Sequence, residues 1–311
     1  MKLLLLGCTG LIGCELVPLL QKKGHELTII SRQKFKNLDL GIKGNKINYI
    51  QLDPSILNNW SNVNLLEELK SSEGVINLAG EPIASKRWTR EHCSKLVNSR
   101  RLSTQGLINA IKETKSSPKV LINGSAIGYY GTSYEEIFDE DSPKGNDFLS
   151  KICTEWEDSA YQLKSSTRLL IIRTGIVIAK DGGALGKMIP IFRSGFGGAI
   201  GSGEQWMSWI HRNDLCNMIA EGLTNNSWSG IINGVAPNPV KMKEFSQTLG
   251  NCLNRPSLIP VPGLILKFLL GDGAKVVLEG QHVKSNRLNK VGFKFKFNNI
   301  FEAINDAILI K

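Results

Sequence analysis

The sequence predicts an α/β fold: a doubly wound parallel sheet with helices on both faces and a smaller C-terminal lobe. Three observations predict it. Short β-branched runs alternate with helix-spaced apolar residues through the first half of the chain. A glycine-rich turn, Gly7-Cys8-Thr9-Gly10-Leu11-Ile12-Gly13, joins the first apolar run to the first helical pattern. Of 311 residues, 41% are hydrophobic and 21% charged, which excludes a disordered chain and allows a sizeable core.

The elements follow in order. Lys2–Leu6 is a strand stopped by Gly7. Cys14–Lys23 has Leu16, Leu19 and Leu20 on one helical face, with Gly24 as its C-terminal cap. Glu26–Ser31, Ile47–Leu52, Gly74–Ala79 and Lys119–Asn123 read as strands, and Glu91–Thr114 as a long helix. Thr167–Ala179 reads as a sixth strand. Gly182–Gly203 is expected to loop around a site. Asn213–Leu223 and Val240–Leu253 read as helices, Ile231–Ala236 as strand-like and Pro256–Pro262 as extended. Gly263–Leu270 is a short apolar helix, expected to pack into the core of the C-terminal lobe rather than against a membrane surface. The expected division is a sheet domain over 1–180, with later returns of the chain to the sheet, and a substrate-side lobe over 181–311.

Lys and Arg number 38 against 28 Asp and Glu, a net charge of +10. They are scattered, so a solvated surface explains them better than nucleic acid, and a few suffice for a phosphorylated cofactor. Six cysteines form no CxxC pair and no cluster with His, so neither a disulfide framework nor a metal site is expected. Free thiols point to a reducing, cytoplasmic compartment. No stretch of about 18 apolar residues predicts a transmembrane segment.

The glycine turn carries the first functional signal. Small residues let the backbone approach a pyrophosphate, and the next helix aims its N–H groups and positive dipole end at the same anion. The pattern predicts a Rossmann-type dinucleotide site. The second strand ends Ser31-Arg32, where an NAD site usually places an acid on the ribose 2′-hydroxyl. Donors at that position suit a 2′-phosphate, so the expected cofactor is NADP(H). Asp53 can accept from the adenine amine or cap the turn before Pro54.

Further motifs add to this: Asn77-Leu78-Ala79-Gly80-Glu81-Pro82, Ser99-Arg100, Ser125-Ala126-Ile127-Gly128-Tyr129-Tyr130-Gly131, Arg173-Thr174-Gly175, Trp209-Ile210-His211 and Leu278-Glu279-Gly280-Gln281. With the glycine turn, the chain resembles an extended short-chain dehydrogenase/reductase of the atypical branch called the epimerase family. Its members are described as NAD-dependent epimerase/dehydratases, NADP-dependent oxidoreductases or cell-division inhibitors. The resemblance implies cofactor contacts at Gly7, Thr9, Gly10, Leu11, Ile12, Gly13, Ser31, Arg32, Leu78, Ala79 and Gly80, with Arg100 and Ser150 reaching it too. It places Glu81 on the nicotinamide side.

Catalysis is where the chain departs. Ordinary members use Ser with a YxxxK pair, in which Lys lowers the Tyr pKa and Tyr moves the proton. Ser125 matches the serine. Aligning on Glu157 sets Leu149 in the Tyr position and Cys153 in the Lys position, and Leu149 transfers no proton. Tyr130 is the candidate substitute acid; its alternative role is packing beside the cofactor. Arg87, Trp88, Trp206, Trp209 and His211 are candidates to line a substrate pocket, with Gly195, Gly197, Gly198, Gly201 and Gly203 in a closing loop. His211 is otherwise a structural histidine bonded to backbone. The expected function is an NADP(H)-dependent oxidoreductase or epimerase on a small substrate, sugar-derived compounds included. The alternative is a non-catalytic NADP(H)-binding protein that serves a partner, for example in cell division. A homodimer is left open.

Overall fold

The computed structural model describes residues 1–34, 47–115, 118–163 and 166–309. The chain opens as β1 (Lys2–Leu6), α1 (Gly13–Lys22), β2 (Glu26–Ser31), β3 (Ile47–Gln51), α2 (Val63–Ser71) and β4 (Gly74–Asn77). It continues as α3 (Arg90–Glu113), β5 (Val120–Ala126), β6 (Ile137–Phe138), α4 (Phe148–Tyr161), β7 (Arg168–Thr174) and β8 (Ile176–Ile178). Then come α5 (Gly183–Arg193), β9 (Trp206–Met207), β10 (Trp209–His211), α6 (Arg212–Thr224) and β11 (Gly230–Gly234). The last part is β12 (Val240–Lys241), α7 (Met242–Leu253), α8 (Gly263–Leu270), α9 (Lys275–Leu278), β13 (His282–Val283), α10 (Asn286–Lys290) and α11 (Ile300–Leu309).

Seven strands form one parallel sheet in the order β3-β2-β1-β4-β5-β7-β11. The order reverses between β1 and β4. That switch leaves a crevice at the carboxyl ends of the strands, where α/β sheets bind ligands. The run Leu3-Leu4-Leu5-Leu6 shows why the sheet is covered on both sides. Leu3 and Leu5 enter the cluster with Leu16, Leu20, Leu215 and Ile219 of α1 and α6. Leu4 and Leu6 enter the opposite one with Leu65, Leu69, Leu107 and Ile111 of α2 and α3. Side chains alternate across a strand, so four consecutive leucines feed both cores.

A third cluster belongs to the C-terminal lobe, where α5, α7 and α11 surround the fully buried Trp209. β11 and α6 rejoin the sheet layers, so the chain beyond 181 serves both parts.

Three expectations are corrected. Gly182–Gly203 is not all loop, because Leu185, Met188, Ile189 and Phe192 recur at helical spacing and bury one face of α5. Thr167–Ala179 is two strands: β7 stays in the sheet, whereas β8 leaves at Gly175 to pair with β10. A Cβ at Gly175 would meet the Ser208 carbonyl at 2.5 Å, so only glycine permits that exit. Finally, α8 buries none of its eight residues, and Leu264 and Phe268 are 79% and 78% exposed. The sequence reading also placed no helix between β3 and β4, where α2 stands.

His211 joins β10 to α6. Its Nδ1 accepts from the Asn213 N–H at 3.2 Å, and its buried ring lies against Phe297 with centroids 4.0 Å apart. Burial pushes its pKa down to about 4 from 6.5; Lys296 and Arg212 push the same way, and Asp306 opposes them. The unfolded chain therefore takes up this proton near pH 6.5, and the folded chain not until about 4. Stability from this group is complete above pH 6.5 and falls as pH drops towards 4, by up to about 3 kcal/mol. Denaturant titrations at pH 7, 5.5 and 4.5 should show that slope, and His211→Asn, which caps without titrating, should flatten it.

Candidate active site

The turn after β1 is built by steric exclusion. Gly7 has φ +71°, and a Cβ there would lie 2.4 Å from the Leu78 carbonyl carbon and the Ala79 nitrogen. The turn thus presses on the end of β4. A Cβ at Gly13 would sit 1.9 Å from the Cys8 carbonyl oxygen, so α1 can start tight against the turn only with glycine there. Around Gly10 there is open room: its added Cβ would meet nothing nearer than the Gly7 oxygen at 4.0 Å. At the start of α1, Ile12 provides no side-chain cap, so the first N–H groups are free of side-chain partners.

β4 ends in a buried amide network. Asn77 Nδ2 donates to Thr104 Oγ1 and to Asn123 Oδ1, both at 2.8 Å, and Asn77 Oδ1 accepts from the Ala79 N–H at 3.3 Å. These bonds tie β4, α3 and β5 together and hold Leu78-Ala79 beside the turn.

A groove runs across these strand ends. Its first part, about 200 Å³, is lined by Gly7, Thr9, Gly10, Ser31, Arg32, Asp53, Leu78, Ala79 and Gly80. Thr9 and Ser31 share a hydroxyl–hydroxyl bond at 3.2 Å. The exposed Arg32 guanidinium donates to Glu81 at 3.3 Å. Glu81 thus turns its carboxylate to the Arg32 end of the groove, while its carbonyl accepts from Arg100. Asp53 caps its turn, Oδ1 accepting from Ser55 N and Oγ at 2.9 and 2.7 Å, and also faces the groove.

The second part, about 400 Å³, begins at Ile12, Leu78 and Arg100 and passes Ser125, Ile127, Leu149 and Cys153 to the C-terminal lobe. Arg100 Nη1 donates to the Leu96 carbonyl at 2.9 Å and Nη2 to the Glu81 carbonyl at 3.0 Å, with its guanidinium 5.2 Å from the Trp156 ring centre. Leu11 points elsewhere, onto Gly182 and Gly183. Ser150 is not brought to the groove: it is buried, and its hydroxyl donates to the Gly145 carbonyl at 2.8 Å.

Beneath the second part lies an ion pair that the sequence reading missed. Arg173 Nε and Nη2 each donate to the Glu157 carboxylate at 2.8 Å, and both residues are buried. The Ser125 hydroxyl donates to the same carboxylate at 2.6 Å. Tyr130 is fixed on the far side. It accepts from Arg173 Nη1 at 2.9 Å, donates to Asn233 Oδ1 at 2.7 Å and stacks on Phe138. It is 3% exposed, does not line the groove, and burial pushes its pKa up to about 12. Leu149 and Cys153 do line it, beside Ser125, and burial pushes the Cys153 thiol up to about 12. The signal for the pair was an arginine inside the apolar strand Arg168–Thr174, which demands a buried carboxylate.

Of the other pocket candidates, Trp206 lines the groove. Trp209 is core, its Nε1 donating to the Asn238 carbonyl. Trp88 donates to the Ile83 carbonyl, and Arg87 to that of Phe268. Gly197 packs on Phe192 and Gly198 on the Ile259 carbonyl, so this stretch is filled against neighbours. No group of His, Cys, Asp and Glu among the described residues can hold a metal ion, and no described helix is long and apolar enough to cross a membrane.

Comparison with known proteins decides the lineage. Residues 3–233 match the model of the NAD dependent epimerase/dehydratase family. The chain belongs to that family. A second family model, a domain of unknown function (DUF1731), matches residues 261–307. An Arabidopsis thaliana relative, the chloroplastic SDR39U1 homolog of the epimerase family, is 43% identical over 96% of this chain and 84% of its own. The epimerase family protein SDR39U1 of Mus musculus is 36% identical over 99% of this chain and all of its own. The crystal structure of human SDR39U1 (isoform 2) with NADPH is similar over the full length of both chains, with TM-score 0.87 and 34% identity.

Within this epimerase-family fold, Tyr130 belongs to the buried network rather than to the groove. Tyr130→Phe should leave Arg173 Nη1 and Asn233 Oδ1 each short of a partner. The expected loss is about 1–3 kcal/mol of stability in denaturant titration, with the far-UV spectrum unchanged.

Proposed function

We propose that this epimerase-family chain binds NADP(H) along the groove and exchanges a hydride with a small substrate in the adjoining cleft. One observation carries the reading: the groove ends at Ser31 and Arg32, where an NAD-type site would present a strand-end carboxylate. The residues fit the group. The room at Gly10 and the uncapped start of α1 suit a pyrophosphate. Arg32 gives one Nη to Glu81 and keeps its remaining donors for a 2′-phosphate. Human SDR39U1, which is similar over its full length, was crystallised with NADPH.

When bound, the nicotinamide would supply or take the hydride, and the accompanying proton would be exchanged with water, since Leu149 and Cys153 offer no donor. The chain's own residues do the rest. Gly7, Thr9, Gly10, Ile12 and Gly13 hold the diphosphate. Leu78, Ala79 and Gly80 carry the cofactor across β4 towards Arg100. Ser125 lines the cleft and donates its hydroxyl to the Glu157 carboxylate, which leaves its oxygen as an acceptor for a substrate hydroxyl. A second reading, a non-catalytic NADP(H)-binding protein, is favoured by Leu149 and Cys153, since neither is an effective proton donor at neutral pH.

Titration with NADPH and NADH tests the cofactor. The 2′-phosphate contacts are worth about 1.5–3 kcal/mol, so wild type should prefer NADPH by roughly ten- to a hundredfold, and Arg32→Ala should erase the preference. Equal wild-type affinities would remove Arg32 from its role. For turnover, NADPH oxidation across a panel of carbonyl compounds and nucleotide sugars is the measurement. Ser125→Ala should then lower kcat while leaving the NADPH dissociation constant within about twofold. No oxidation of any panel member would select the non-catalytic reading.

A further inference from the structure

The cleft beyond Ser125 has a composition that selects its occupant. Its lining includes Ile83, Ile127, Leu149 and Ile152 from the first half of the chain and Trp206, Met207, Val276 and Val277 from the second. Its charged lining groups are Arg100, Lys275 and Glu279. Arg100 has given two donors to backbone carbonyls, and Lys275 is exposed. Glu279 accepts from the Thr132 hydroxyl at 3.0 Å, so the two polar groups of that wall satisfy each other. The Ser125 hydroxyl proton is committed to Glu157, which leaves that oxygen as a single acceptor, and Cys153 is a weak donor.

A nucleoside diphosphate needs several convergent cations, preferably arginine forks. This wall turns a carboxylate and a single exposed lysine towards it. A sugar ring needs a partner for each buried hydroxyl, or the hydroxyl is desolvated without compensation. Beyond Ser125 and Thr132, the polar lining residues are Thr174, Gln281 and Trp156, whose Nε1–H has no partner; these are too few for the several hydroxyls of a sugar ring, whereas one carbonyl needs only one donor. Size points the same way. The cavity of about 400 Å³ includes the Gly124–Ile127 strand end where the nicotinamide would lie, so cofactor and substrate share it. Apolar side chains bury apolar surface with no such requirement.

We propose that the substrate cleft takes a small, uncharged, apolar carbonyl or alcohol, and not a nucleoside-diphosphate sugar. The proposal rests on the reading of the groove as an NADP(H) site for hydride exchange, and it names the substrate class of that same site. Leu149 and Cys153 are then part of the recognition surface: two helix positions, one turn apart, that present apolar bulk to the ligand. Val276 and Val277 add to that surface.

The test is equilibrium binding to the full chain, with and without saturating NADP⁺, read by ligand-observed NMR. The probes are straight-chain 2-ketones from pentanone to decanone, UDP and UDP-glucose. Ketone affinity should rise about three- to fourfold per added methylene until the cleft is filled, while UDP and UDP-glucose show no saturable binding. Leu149→Ser and Val277→Asp should each weaken octanone binding at least tenfold, with thermal unfolding showing that each variant is folded. If one variant fails to fold, the other and the chain-length series still decide. A ketone affinity flat with chain length, or UDP-glucose binding tighter than octanone, overturns the proposal. NADPH titration of the same sample is a separate arm. Ketones that bind with the expected slope to a protein that does not bind NADPH would sink the cofactor reading and support the cleft assignment.

Discussion

The close approach of the glycine turn to the end of β4 is the constraint on which the groove depends. β1 and β4 are neighbours at the point where the strand order reverses. The turn after β1 and the Leu78-Ala79 segment after β4 must share that space, and a Cβ at Gly7 would overlap the Leu78–Ala79 peptide. Asn77 fixes the other half of the contact through Thr104, Asn123 and the Ala79 N–H. Both walls are thus in place in the free protein, and a site formed in advance lowers the ordering cost of binding.

A second constraint lies under the cleft. Arg173 and Glu157 are a bidentate pair withdrawn from water, and such a pair holds only if its remaining donors and acceptors are met. Ser125, Tyr130 and the face of Tyr129 meet them, the last with the guanidinium 3.3 Å from its ring centre. The pair therefore orders the cleft floor and removes Tyr130 from it in the same act. The cost of leaving either charge unpaired ties β7, α4 and the Ser125–Gly131 segment into one unit.

Family membership and chemistry separate at this point. The NAD dependent epimerase/dehydratase family accounts for the sheet, the switch point and the groove. At the α4 positions that the resemblance assigns to a tyrosine and a lysine stand Leu149 and Cys153, and both line the cleft. A fold carries a site without prescribing what that site does.

Much was legible in the residues. Periodicity located the sheet strands and the helices α1, α3, α6, α7 and α8 to within a few positions, because burial on two faces leaves apolar runs and burial on one leaves a 3.6-residue repeat. The glycine spacing marked the turn, and Ser31-Arg32 marked the groove's far end. Local signals failed where the partner is distant. Gly182–Gly203 looked like loop because its glycines hid the apolar face of α5. Gly263–Leu270 looked like core because composition does not say which neighbour covers a helix, and Leu264, Ile265, Phe268 and Leu269 are exposed. Tyr130 looked like a catalytic group because it follows Ser125 in sequence.

The sequence by itself determined the α/β architecture and the glycine turn after β1, and it holds no tyrosine in the segment 147–157, since each is written in residue types at short spacing. Only the tertiary structure decided that Glu157 and Arg173 pair beneath Ser125, that Tyr130 faces away, and that Trp206, Met207, Val276 and Val277 close the cleft. The cleft joins residues as far apart in the chain as Ile83 and Val277, and such meetings are set by how the layers pack rather than by any local pattern.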